Sequence, residues 1–104
     1  QNEYEILNKK NESKLLVQEV TVHITNYKKY RLDPLSIFEV EQSIKKDFES
    51  LLGKDLESVG HGKELLKRAI INKNIKLNGR HYQLEVQELI LYTHIEISLS
   101  LKQI

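Results

Sequence analysis

Residues 75–101 read IKLNGRHYQLEVQELILYTHIEISLSL, and how this run divides into strands decides the fold. Asn78-Gly79 stands between Ile75 and Leu77 on one side and Tyr82, Leu84 and Val86 on the other. That is the pattern of a hairpin closed by a two-residue type I′ turn. Both central residues then take positive φ, which Asn and Gly tolerate. In this register Ile75 faces Tyr82 and Lys76 faces His81.

Beyond the hairpin the apolar phase changes. Tyr82, Leu84 and Val86 occupy even positions, whereas Leu89, Leu91, Ile95, Ile97, Leu99 and Leu101 are odd. A straight strand with such a shift would turn its buried face to water, so the pattern demands a bulge or a turn. Gln87-Glu88 is the predicted place. Neither is a turn former, which favours one bent, bulged strand over a tight hairpin. The pattern itself leaves open whether one strand or two follow Gln87.

Working back from there, Leu15–Ile24 alternates as a strand, with Val20, Val22 and Ile24 on one face and Glu19, Thr21 and His23 on the other. Two overlapping helix starts follow. Asp33-Pro34 offers an N-cap and a proline in the first turn. Ser36 and Glu39 offer a capping box, with Leu35 and Val40 as a staple around it. Ile37, Val40, Glu41, Ile44, Phe48, Leu51 and Leu52 then keep three-and-four spacing up to a stop at Gly53. Glu41 is the one charged member of that stripe. Residues 54–62 read as a connection with at most a short turn around Leu56 and Val59. A second helix is predicted over Lys63–Ile71, burying Leu65, Leu66, Ala69 and Ile70.

The order is therefore strand, two helices, then two or three strands: an α+β domain with two helices on one face of a small mixed or antiparallel sheet. It is similar to the element order of the POTRA domains of envelope assembly proteins and of several ring-forming modules. The likeness lies in element order and is carried by no motif, so it implies a fold and no role. Residues 1–14 are mostly polar and read as a linker or N-terminal extension, with 15–104 as a single domain. The chain of 104 residues has no methionine, even at position 1, so a piece of a longer protein is expected.

Composition narrows the function classes. Hydrophobic residues make up 39% and charged residues 30%, and the net charge is +1. So near-neutral a chain has no strong long-range pull toward nucleic acid or anionic membrane. Cysteine is absent, which removes disulfides and thiolate metal sites. No apolar run reaches the ~20 residues that span a bilayer. Nothing here fixes the compartment.

Catalytic and metal chemistry find no constellation. His23, His61, His81 and His94 fall on separate elements without the close pair that zinc sites use. Gly60-His61-Gly62-Lys63 looks like a phosphate loop, yet Glu64 stands where Ser or Thr would hold magnesium, and no glycine lies five residues before Gly62. The serines occupy no recognisable nucleophile turn; Ser36 serves as a cap, and Ser98 and Ser100 as the polar face of a strand. A two-helix chain of this length has little room for a walled pocket of ~300 Å³ or more. The expectation is a non-enzyme without cofactor, metal or small-molecule substrate.

Two surfaces remain. Leu89, Ile90, Leu91 and Tyr92 make part of the last segment apolar on both faces, and a long terminal strand at a sheet edge is a template for strand addition. This predicts a protein partner or self-assembly. Against it stands the plainer reading that Tyr4, Ile6 and Leu7 fold back over that face. The alternative function is nucleic-acid binding through Tyr27, Lys28, Lys29, Tyr30 and Arg31, three cations beside two stacking rings. A chain with balanced charges lacks the basic surplus such domains carry. The plainer reading there is that both tyrosines cover the end of the sheet while the cationic heads stay in water.

Overall fold

The computed structural model describes residues 15–104; the linker expected over 1–14, with Tyr4, Ile6 and Leu7, lies outside the described residues. Four strands, β1 (Glu19–Ile24), β2 (Asn74–Leu77), β3 (Arg80–Ile90) and β4 (His94–Gln103), form one sheet in the order β1-β4-β3-β2. β1 runs parallel to β4, and the other pairs are antiparallel. Helices α1 (Pro34–Asp47), α2 (Leu56–His61) and α3 (Lys63–Ile71) occupy the connection from β1 to β2. This is the α+β arrangement that the sequence predicts, with a mixed sheet.

Alternation sorts the sheet into two faces. Val20, Val22 and Ile24 pair with Ile95, Ile97 and Leu99, and all six are buried. Tyr82, Leu84 and Leu101 complete the same core, and each such buried side chain contributes on the order of 1.5–3 kcal/mol. The opposite face carries Thr21, His23, Glu85, Glu96 and Ser98, none of them buried. Ile37, Ile44 and Phe48 from the α1 segment and Ile70 from α3 supply the helical side of the core.

The helix signals resolve in favour of Asp33-Pro34, since α1 starts at Pro34 with Asp33 as its N-cap. It ends at Asp47, earlier than expected, and a 3₁₀ turn over Glu49–Leu51 leads to Gly53 at φ 81°. The connection after it contains the additional helix α2, capped by Asp55, whose carboxylate accepts the Ser58 N–H at 3.1 Å. α3 has the predicted bounds but not the predicted burial. Ile70 is buried and Leu66 half-buried, while Leu65 and Ala69 are exposed.

The hairpin at Asn78-Gly79 forms with φ of 52° and 73°, and Ile75 pairs with Tyr82 and Lys76 with His81 as expected. The bulge also lies where the phase shift puts it, between Val86 and Glu88. Two expectations about the last segment are corrected. Residues 81–101 are not one bent strand: the chain reverses at residues 91–93, with Leu89 paired to Ile97 and Ile90 to Glu96. The turn has no Gly, Asn or Pro to announce it. Its support comes from a distant segment, because the Thr93 carbonyl accepts the N–H groups of Gln18 at 2.7 Å and Glu19 at 3.2 Å. Nor is the last strand an edge. β4 lies between β3 and β1, which returns from the far side of the helices to pair with it, so strand addition to β4 is sterically closed.

Candidate protein-contact surface

One end of the domain gathers the segment that precedes β1, the loop after α1, α2, the start of α3 and the β3–β4 turn. Backbone hydrogen bonds tie these pieces together. Val17 N donates to Lys54 O, Gly53 N to Val17 O and Leu56 N to Leu15 O, each at 2.8 Å, and Gln18 N reaches Thr93 O. This is also the end at which the chain joins the domain, through Leu15.

Leu15, Leu16, Leu52, Leu65, Ile90 and Tyr92 are large apolar side chains left exposed here. Of the four residues singled out in sequence, Leu89 and Leu91 are half-buried and packed against the core, and Ile90 and Tyr92 are 40% and 57% exposed. The bulge at Gln87 explains the division: it returns Leu89 to the helix side and sends Ile90 to the open face beside Glu96. The surface is thus a turn at the tip of a hairpin rather than one face of an edge strand.

Leu52 and Leu65 were expected in the core. Each belongs to a doublet. In α3 consecutive residues point about 100° apart, which separates Leu65 from Leu66. At Leu51-Leu52 the 3₁₀ turn ends at Leu51 and Leu52 is extended, with φ −59° and ψ 131°. One member of each meets the core and the other does not. α3 shows this twice, with Leu66 and Ile70 inward and Leu65 and Ala69 outward. A short helix whose apolar arc exceeds what one sheet face covers is the signal by which the outer row was readable. Between α2 and α3 opens a groove of about 250 Å³ lined by Leu51, Lys54, Val59, Gly62, Leu65 and Leu66.

The basic and aromatic segment lies at the opposite end. Tyr27–Tyr30 forms a 3₁₀ turn closed by Arg31 at φ 55°. Both tyrosines are half-buried and packed on the core. Tyr30 meets Tyr82 edge to face, with ring centroids 5.1 Å apart. Its hydroxyl donates to Leu101 O at 3.3 Å and accepts from Gln103 N at 3.4 Å. Lys28, Lys29 and Arg31 are exposed, with Lys29 Nζ 5.6 Å from the Tyr30 ring centre. The geometry is that of rings covering the end of a sheet under solvated cations.

His94 approaches Thr21 Oγ1 at 3.1 Å and Glu19 at 3.8 Å, while His23, His61 and His81 stand elsewhere. Among the described residues no three His, Cys, Asp or Glu side chains converge as metal ligands. A groove of about 360 Å³, open to solvent, lies between α1 and β2, near the ion pair of Asp47 and Lys73. This groove and the one between α2 and α3 are open channels of the kind that helices laid across a twisted sheet leave beside them.

Over residues 18–102 the chain matches the family described as sporulation membrane protein YtrI, C-terminal domain. The match runs from Gln18, which ties β1 to the β3–β4 turn, to Lys102, and so takes in all four strands but for the last residue of β4. The sporulation membrane protein YtrI of Bacillus subtilis (strain 168) is 39% identical over 95 residues, covering 91% of this chain and 57% of that protein. The chain thus spans little more than half the length of that relative. No solved structure matches, so the likeness to POTRA domains stays one of element order. Among the described residues no helix is long and apolar enough to cross a membrane. The chain belongs to the family of YtrI C-terminal domains.

Proposed function

We propose that this domain is a non-enzymatic protein–protein contact module of a sporulation membrane protein, working through the apolar end at which its chain joins the fold. The observation that carries the reading is where the exposed large apolar side chains stand. Six of the ten among the described residues, Leu15, Leu16, Leu52, Leu65, Ile90 and Tyr92, stand on the segments that meet at this end, the other four being Leu35, Phe38, Ile71 and Ile104. Leu15, Leu16, Leu52 and Tyr92 stand on segments that are hydrogen-bonded to one another, and exposed apolar side chains gathered in this way mark contact sites. The sporulation and membrane setting comes from the name of the Bacillus subtilis relative.

The test is photocrosslinking in sporulating cells that express the full-length protein, with a photoreactive residue at position 92 and a control at position 78 on the opposite end. Protein crosslinks from 92 that vanish with Ile90→Asp, and a fall in heat-resistant spores for Ile90→Asp/Tyr92→Asp, are expected. Equal crosslinking from 78, or normal sporulation with the double variant, would overturn the reading.

A further inference from the structure

At the end of the domain opposite the contact surface, Tyr30, Arg31, Asn78, Arg80 and Tyr82 line a groove of about 290 Å³. Two turns of the chain meet there: the 3₁₀ turn over Tyr27–Tyr30, closed by Arg31, and the β2–β3 hairpin at Asn78-Gly79. No carboxylate is among the lining residues. Asp33, the nearest in sequence, is the N-cap residue of α1 and accepts from Ser36 Oγ at 3.4 Å.

The two arginines stand at this groove without serving the fold. Alternation sets Arg80 on the helix-facing side of β3, one pleat beyond Tyr82, in a row that continues with Leu84 and Val86. Arg31 has φ 55°, a left-handed position at the end of its turn that glycine takes more readily. Both residues are exposed, and among the described residues neither guanidinium forms an ion pair or a hydrogen bond. A long cationic side chain on strained backbone, with its charge unused inside the domain, points to a role toward a ligand.

Tyr82 gives a separate observation. It is 1% exposed, yet its hydroxyl has no hydrogen-bond partner among the described residues. Buried tyrosine hydroxyls ordinarily find one. Since no fully buried polar side-chain atom among those residues is left unpaired, this hydroxyl opens onto the grooves that Tyr82 lines, the present one and a neighbour beside Ile71 and Ile104.

We propose that the groove binds a terminal phosphate group, a phosphomonoester dianion. Arg31 and Arg80 supply two positive charges and two forks of donors, and the Asn78 amide and the Tyr82 hydroxyl supply further donors. A dianion with three terminal oxygens can use all of them, whereas a carboxylate has one charge and two oxygens. An internal phosphodiester of a nucleic-acid strand also has one charge and two free oxygens, so the groove does not select RNA. A free phosphomonoester and the headgroup of phosphatidic acid offer the same chemistry.

Glycerol phosphate is the probe, titrated into the full chain and followed through the backbone amide NMR signals of Arg31, Asn78 and Arg80. Saturable shifts are expected at all three, and glycerophosphocholine, the corresponding diester, should bind at least about tenfold more weakly. Arg80→Gln should weaken binding at least about tenfold at an unchanged thermal midpoint. Arg31→Gly should do the same with a midpoint level or higher, because glycine relaxes the left-handed position, and this separates a lost ligand contact from a lost fold. Tyr82→Phe should weaken binding several-fold without lowering the midpoint. Flotation with vesicles of phosphatidylcholine and phosphatidic acid, competed by glycerol phosphate, would identify the lipid headgroup as the source; saturable shifts without flotation would identify a free phosphomonoester. No saturable shift in the wild type, a diester bound as tightly as the monoester, or unchanged affinity in Arg80→Gln or Arg31→Gly would overturn the proposal.

Discussion

The side-chain amide of Asn26 hydrogen-bonds to both backbone groups of Leu101, its Nδ2 donating to the carbonyl at 2.9 Å and its Oδ1 accepting the N–H at 2.7 Å. β1 ends at Ile24, and the Thr25 N–H still donates to Leu99 O at 2.8 Å. Asn26 thus continues the parallel ladder by two more bonds with its side chain while the backbone turns away into Tyr27–Tyr30. Asn26→Ala strands a half-buried donor and acceptor on β4 and should cost about 1–3 kcal/mol. Asn26→Asp keeps the acceptor and should lose less. Urea midpoints of the two variants check the order, and an Asn26→Ala midpoint equal to wild type would show that water replaces the amide without cost.

Glu41 has a related role at the open edge of the sheet. Its Oε2 accepts the N–H of Ile24 at 2.8 Å, at the end of the edge strand β1. A carboxylate is a strong acceptor for a backbone donor, and an edge N–H left free is a site for unwanted pairing. Glu41→Gln, which retains an acceptor, should stay within about 1 kcal/mol of wild type, and Glu41→Leu should lose about 1–3 kcal/mol. Denaturant unfolding of both variants decides it; equal stability of the two would remove the capping role.

These two residues show what the sequence could and could not reveal. Glu41 is conspicuous as the one charge in an apolar stripe, yet its partner is a backbone group of a strand seventeen positions away, which no local period encodes. The hairpin at Asn78-Gly79, the bulge near Gln87 and the bounds of α3 were legible because each follows from turn chemistry or a strict period of two or 3.6. The β3–β4 turn was not, because its stability comes from Gln18 and Glu19 rather than from its own residues. The central position of β4 depends on β1 crossing over to pair with it, a long-range choice on which alternation is silent. Of the contact surface, Ile90 and Tyr92 were visible as surplus apolar residues. Leu52 and Leu65 were hidden in doublets that looked like core.

The bulge can be tested directly. Deleting Gln87 removes the extra residue, and the regular strand that results keeps Glu88 opposite Ser98 and Leu89 opposite Ile97. The deletion should therefore leave the buried face intact and cost little more than Gln87→Ala, which loses the hydrogen bond from Nε2 to Ser100 Oγ, 2.7 Å long, worth about 0.5–1.5 kcal/mol. Unfolding curves of the two variants should nearly coincide. A further loss of about 3 kcal/mol in the deletion alone would mean that the local twist of the bulge, and not only its register, holds the sheet together.

The cations of the Tyr27–Arg31 turn separate the contact-module reading from the nucleic-acid alternative. The Tyr30 ring lies edge-on to Tyr82 with its hydroxyl held between Leu101 and Gln103, so stacking a base on it would have to compete with contacts the fold already uses. Lys28 and Lys29, being exposed, can change sign without disturbing that arrangement. Lys28→Glu/Lys29→Glu should keep the thermal midpoint and the crosslinks from position 92. Titration with labelled single-stranded RNA should give no saturable binding to wild type or variant at physiological salt. Binding to wild type that weakens steeply as salt rises and disappears in the variant would establish this turn as a nucleic-acid site, since phosphate contacts carry that salt dependence and an apolar contact does not.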